Sequence, residues 1–137
     1  TAREGGITNI VTVVPDKSYN ADGIEFKTVP AYNVNKKFHP KGNNWVGYIV
    51  SANNMDYYFA GDTDLIPEMK NIKADVVFLP VGGTYTMTSS EAVEAANIIN
   101  PKIAVPVHYA EIIGTADDAQ NFIKGLNASI KGIIMDI

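Results

Sequence analysis

Apolar positions along this chain fall into two regimes. Up to about residue 60 they come as short alternating or β-branched runs broken by turn sequences; beyond it, unbroken strand-length runs alternate with helix-period segments. In the first regime, Ile10 to Val14 predicts a strand halted by Pro15-Asp16. Ile24 to Val29 predicts another, entered through the hairpin-type turn Asn20-Ala21-Asp22-Gly23. Pro30 to Asn44, rich in Lys, Asn, Pro and Gly, predicts a long loop, and loops of that length are usually functional or mobile. Trp45 to Ser51 and Met55 to Ala60 predict two strands joined by Ala52-Asn53-Asn54, with Trp45 most simply a core residue.

In the second regime, Leu65, Ile66 and Met69 fit one face of a short helix, with Pro67 tolerable in its first turn and Asp64 a good cap for it. Asp75 to Leu79 predicts a buried strand, and Pro80 to Met87 a glycine-bearing loop. Thr88 and Glu91 form a capping box for a helix whose inner face carries Ala92, Val93, Ala96 and Ile99 and which Asn100-Pro101 stops. Ile103 to Val107 predicts the next strand. Thr115 and Asp118 cap a second helix with Ala119, Phe122, Ile123 and Leu126 inward, and Ile133 to Ile137 predicts a closing strand. The fold class is therefore α/β, a mixed sheet with helices on one face. The later strands read apolar on both faces, so the face without helices calls for a second layer.

Bulk properties narrow the chemistry. A chain of 137 residues suits one domain, residues 1–137, with 46% hydrophobic and 19% charged residues as in ordinary globular proteins. A net charge of -4 argues against nucleic acid and anionic membranes as partners. The absence of cysteine removes disulfides and thiolate ligands, and it fits a cytoplasmic protein. No apolar run approaches the length of a spanning helix. Thr1 to Gly6 reads as the tail of a helix, which suggests a domain whose beginning lies upstream; a processed or tag-derived terminus is the other explanation.

Candidate chemistry sits just past two buried strands. Gly61-Asp62-Thr63-Asp64 follows one and Pro106-Val107-His108-Tyr109 closes another, where α/β proteins build their sites. Aspartate and histidine are a legitimate oxygen and nitrogen pair for a divalent metal, but the chain offers only one other histidine, His39. Gly82-Gly83-Thr84 lacks the spacing and lysine of a phosphate loop and reads as a backbone turn. Tyr85 and Thr86 offer hydroxyls to a substrate or to ordinary loop packing, and Tyr109 suits a wall. Lys36, Lys37 and Lys41 around His39 would favour an anionic small-molecule substrate; three solvated loop lysines are the plainer reading.

Together, Ala60 to Asp64, Leu79 to Met87 and Pro106 to Tyr109 resemble, in order and spacing, the C-terminal half of the metallo-β-lactamase superfamily. They look most like its small metal-dependent hydrolases related to the ascorbate-phosphate lactonases. The resemblance implies an αββα sandwich with a metal centre along one edge. It also implies a metal-bound hydroxide that attacks an ester, lactone or phosphoester. By the same resemblance Asp62 and His108 are catalytic metal ligands, Asp62 as the carboxylate bridging two metals. The metal would be divalent, zinc first and manganese or iron otherwise. The His-x-His-x-Asp-His motif of the family's N-terminal half is absent, so this chain alone is expected to be inactive. Asn33 stands where related members carry the third motif histidine, which leaves His39 as a third metal ligand or, with Asn33 and Tyr85, a substrate-binding residue. The rival reading is a non-catalytic α/β module that self-associates through its uncovered sheet face. On the hydrolase reading, that face pairs with the missing half or with a second copy.

Overall fold

The computed structural model describes residues 4–135. Strands β1 (Ser18–Ala21) and β2 (Ile24–Pro30) form a hairpin. Its two turn residues, Asp22 and Gly23, both sit at left-handed φ (51° and 86°), the geometry that matches the twist of paired strands. β3 (Val46–Ala52) and β4 (Met55–Phe59) repeat the device with Asn53 and Asn54 at φ 52° and 60°, conformations asparagine tolerates well. β5 (Val76–Pro80), α1 (Ser89–Ile99), β6 (Ile103–Val107), α2 (Ala116–Gly125) and the two-residue β7 (Lys131–Gly132) complete the element order.

The seven strands lie in one sheet in sequence order, antiparallel from β1 to β4 and parallel from β4 to β7. Each parallel strand adds beside its predecessor, and such crossovers share one hand, so α1 and α2 fall on the same face. Both helices start on the capping boxes read from sequence. Glu91 accepts from the Thr88 N–H at 2.8 Å, and Asp118 from the Thr115 N–H at 2.8 Å. Asn100 ends α1 in the left-handed conformation. The core lies between these helices and the sheet side chains Ile49, Tyr58, Val77, Leu79 and Ala104, with Phe122 of α2 fully buried.

Among the described residues, no helix covers the other face. It carries an aromatic stripe from β1 to β5: Tyr19 stacks on Phe26, Phe26 meets Tyr48, Tyr48 stands opposite Phe59, and Phe59 stacks on Phe78 with ring centroids 4.6 Å apart.

Four expectations are corrected. Ile10 to Val14 joins no strand ladder. The polar segment Ser18–Ala21 takes the edge of the sheet instead, and Val14 is tied by its backbone to Tyr19 Oη and Thr28 Oγ1. The short helix is a 3₁₀ segment over Pro67–Asn71 without a side-chain cap, so Asp64 does not cap it. Trp45 is 47% exposed rather than core. The last strand is Lys131–Gly132, because pairing with Ile103 and Ala104 falls there; residues 133–135 lie beyond the ladder, and Asp136 and Ile137 lie outside the described residues. Of the expected N-terminal helix tail, Thr1 to Arg3 lie outside the described residues and 4–6 form a turn.

Candidate metal centre

Strand direction decides where the chemistry gathers. β2, β4, β5 and β6 all run the same way, so the segments that follow them open along one edge of the sheet. The loop after β2 carries His39, the turn after β4 carries Asp62, the loop after β5 carries Tyr85, and β6 runs directly into His108. Residues far apart in sequence therefore meet.

Asp62 stands between the two histidines of the chain. His39 Nε2 lies 3.5 Å from one carboxylate oxygen, Oδ2, and His108 Nε2 lies 3.5 Å from the other, Oδ1. Asp62 is about half exposed, whereas the His39 side chain is 16% exposed. Each carboxylate oxygen thus faces one imidazole nitrogen, giving two mixed oxygen–nitrogen pairs that share a single carboxylate. Among the described residues no group of three His, Cys, Asp or Glu side chains closes into a metal cage. A pair supplies two donors, and a divalent metal such as zinc takes about four, so further ligands must come from elsewhere.

The surroundings of His39 say what its Nε2 is for. Nδ1 faces two oxygen acceptors, Asn33 Oδ1 at 3.2 Å and the Tyr85 carbonyl at 3.3 Å. Asn33 is fixed the right way round because its Oδ1 also accepts the His39 backbone N–H at 3.0 Å. In the tautomer that donates from Nδ1 to these two acceptors, Nε2 is left free to ligate. A cation held jointly by Nε2 and the Asp62 carboxylate would then satisfy both. This donor chemistry fits a divalent metal.

The Asp62–Asp64 turn is anchored by its last two side chains. Thr63 is fully buried; its hydroxyl accepts the Tyr32 N–H and donates to backbone carbonyl oxygen, and its own carbonyl accepts from Met87. Asp64, 4% exposed, points back into the 30–39 loop and accepts from Asn33 Nδ2, the Val34 N–H and Lys36 Nζ. On the His108 side, His108 adopts φ 59° and Ala110 φ 62°, conformations non-glycine residues seldom hold outside constrained sites. Gly82 is required there, since a Cβ on it would stand 2.4 Å from the His108 carbonyl oxygen.

The structure brings Asp62, His108 and His39 together. Asn33 does not join them: it is 6% exposed, and both its donors and its acceptor oxygen are spent on Asp64, Tyr85 and His39, which leaves no polar atom for a substrate. Tyr85 contributes its backbone carbonyl to the site, and its ring packs edge-on against Phe38. Trp45 lies against His39 with ring centroids 5.2 Å apart. The basic patch is largely neutralised, because Lys36 pairs with Asp64, and Lys41 with Glu68 at 2.9 Å and with the Tyr32 ring. Sequence reasoning missed the clamping role of Asp64. Asp-x-Asp spacing on a regular strand would put both carboxylates on one face, so no local signal marked it; the bend at Gly61, φ 68°, and Asp62 turns them apart. A groove of about 420 Å³ between β2, β3 and the 3₁₀ segment holds none of the three site residues, and its lysines Lys17, Lys27 and Lys73 are matched by Asp16, Asp56 and Glu68.

A mixed sheet with its helices on one face and a histidine–aspartate–histidine edge is an α/β layer with its polar groups gathered past the strand ends. The chain belongs to the metallo-β-lactamase superfamily: the model of the beta-lactamase superfamily domain matches residues 2–108. A protein described as a metal-dependent hydrolase from Methanopyrus kandleri is 29% identical over 98% of this chain and 64% of its own length. Another, from Staphylothermus marinus, is 35% identical over 90% of this chain and 53% of its own length. The chain therefore spans a little over half the length of these curated relatives. Among solved structures, a metal-dependent hydrolase from Parabacteroides distasonis superposes with a TM-score of 0.83 at 33% identity, covering 98% of this chain and 60% of that one. A metallo hydrolase from Ignicoccus hospitalis gives a TM-score of 0.78 at 26% identity, with 98% and 60% covered.

Proposed function

We propose that this chain is the C-terminal portion of a metal-dependent hydrolase, with Asp62, His108 and His39 as its contribution to a two-metal centre. The observation that carries this reading is the single carboxylate shared by two imidazoles, one on each oxygen, with His39 Nε2 presented to it. The metals would be divalent, zinc by preference given the nitrogen and oxygen donors, with manganese or iron as the other choices. When bound, such a pair supplies Lewis-acid polarisation of an ester, lactone or phosphoester oxygen and lowers the pKa of water. The chain itself does the holding. Asp62, His39 and His108 would hold the metals, and Trp45 and Phe38 flank the His39 loop as a partly exposed apolar rim for a small-molecule substrate.

The remaining donors and the second sheet belong, on this reading, to the additional length seen in the relatives. The aromatic stripe is the surface that would receive that sheet. No helix among the described residues is long and apolar enough to cross a membrane, and the absence of cysteine supports a cytoplasmic setting.

The test is metal content and ester or phosphoester hydrolysis, measured on the longest form the gene encodes and on the 137-residue chain. Asp62→Ala should remove both metals and all metal-dependent turnover. His39→Ala and His108→Ala should each cost about one metal per chain, following the one-imidazole-per-oxygen geometry. Variants that keep full metal content and turnover would overturn the assignment. A native chain with neither metal nor turnover in its longest form would leave the non-catalytic module as the better account.

A further inference from the structure

The loop after β2 joins its histidine to a buried amide six residues earlier. The position directly after Pro30-Ala31-Tyr32 holds Asn33, buried and turned away from Asp62, while the imidazole that reaches Asp62 comes from His39, six residues on. We infer that Asn33 is a positioning residue: it fixes the tautomer and aim of His39, and Asp64 holds Asn33 in place. This rests on the metal-centre reading for its purpose, though not for its geometry.

Asn33 has two donors and one oxygen with two acceptor sites, and all are used. Its oxygen accepts the His39 N–H at 3.0 Å and faces His39 Nδ1 at 3.2 Å. Its amide donates to Asp64 Oδ1 at 3.1 Å and to the Tyr85 carbonyl at 2.9 Å. The same amide therefore grips three loops, those after β2, β4 and β5. The Asn33 N–H returns to the His39 carbonyl at 2.7 Å, which closes the 33–39 segment into a ring. Asp64 adds the Val34 N–H at 2.9 Å and the Lys36 ammonium. The result is a turn that works in two directions, with Asp62 facing the centre and Asp64 securing the loop that brings His39 to it.

Two kinds of effect separate positioning from mere packing. The acceptor oxygen of Asn33, with the Tyr85 carbonyl that its amide holds in place, favours the proton on Nδ1 of His39; its donors control how firmly the loops are joined. Asn33→Asp keeps an acceptor for His39 while placing a carboxylate against Asp64. Asn33→Ala removes both.

The experiment is nitrogen–proton correlation NMR of the imidazoles in the metal-free chain at pH 8, with His39→Ala to assign the signals and His108 as the internal reference. The native chain should show His39 protonated on Nδ1. Asn33→Asp should keep that tautomer at a lower melting temperature. Asn33→Ala should shift His39 toward protonation on Nε2 and, in a zinc titration, weaken binding about 10- to 100-fold, the usual effect of losing a partner behind a metal ligand. A native His39 protonated on Nε2 overturns the inference whether or not the variants fold, as does a folded Asn33→Ala chain with an unchanged tautomer. The Nδ1 tautomer in a chain that takes up no zinc would leave the positioning intact and count against the metal centre.

Discussion

Tyr58 and Phe59 are neighbours on β4, yet Tyr58 is fully buried and Phe59 is 42% exposed. Successive strand side chains point to opposite faces, so the pair samples the two sides of the sheet. Beneath Tyr58 lie α1, α2 and the 3₁₀ segment, and burial pushes its phenol pKa well above the usual range. Beside Phe59 lie Tyr48 and Phe78 of the aromatic stripe. The side chains are alike and their surroundings are not. A sheet that is apolar on both faces is built as a middle layer, with one neighbour already in this chain and a second expected on the stripe.

That contrast can be broken most forcefully on the covered side. Phe122→Ala removes a fully buried ring from under the sheet and should cost about 3–5 kcal/mol in denaturant unfolding. Phe59→Ala on the open side should cost roughly 1 kcal/mol or less by the same assay, since much of that ring is already in water. A cost for Phe59 equal to that for Phe122 would mean the stripe is covered within the chain. Phe59→Lys sharpens the comparison through association instead: sedimentation should show the native chain self-associating with rising concentration and the variant remaining monomeric. A native chain monomeric at every concentration would show that the stripe does not pair with a second copy.

Smaller effects belong to the helix ends and to surface charge. Thr88→Ala removes the cap of α1 and should cost about 1 kcal/mol in thermal or denaturant unfolding. The weakest effect is with pH. A hydrogen bond from Lys102, with another from the Asp56 N–H, holds the Asp75 carboxyl below its usual range. Burial pushes Glu68 upward, but hydrogen bonds from Lys41, its own backbone and Tyr32 outweigh this and lower it. Both carboxyls are more acidic folded than unfolded. Their contribution is therefore complete above the ordinary carboxylate values of 3.8 and 4.5 and is lost as pH falls through the lower folded ones. Unfolding midpoints measured down from pH 6 should drop in that acid window, and Lys102→Met should make the drop shallower.

The second half of the fold was legible because its signals are local. Capping boxes at Thr88 and Thr115 and unbroken apolar runs before and after α1 name their elements without help from distant residues. The first half depends on partners. Ile10 to Val14 has the better strand composition, but Ser18–Ala21 lies one tight turn from β2 and so wins the edge. In the site, Asp62 and His108 could be read from their places at strand ends. The choice between Asn33 and His39 could not, because it is made by hydrogen bonds that Asn33 donates to Asp64 and the Tyr85 carbonyl, residues far along the chain. Asp64 was misread as a cap for the same reason: its partners are 28 to 31 residues away.

The turn from Asp62 to Asp64 carries a lesson for anyone altering this protein. Two carboxylates two positions apart would share a face on a regular strand; here the chain bends at Gly61 (φ 68°) and Asp62, so one carboxylate faces the histidines and the other the 33–36 loop. Exchanging side chains in this turn changes strength; straightening the bend would change which carboxylate meets the histidines. Loop libraries and chimaeras should vary composition elsewhere and leave Gly61 and the length of the turn untouched.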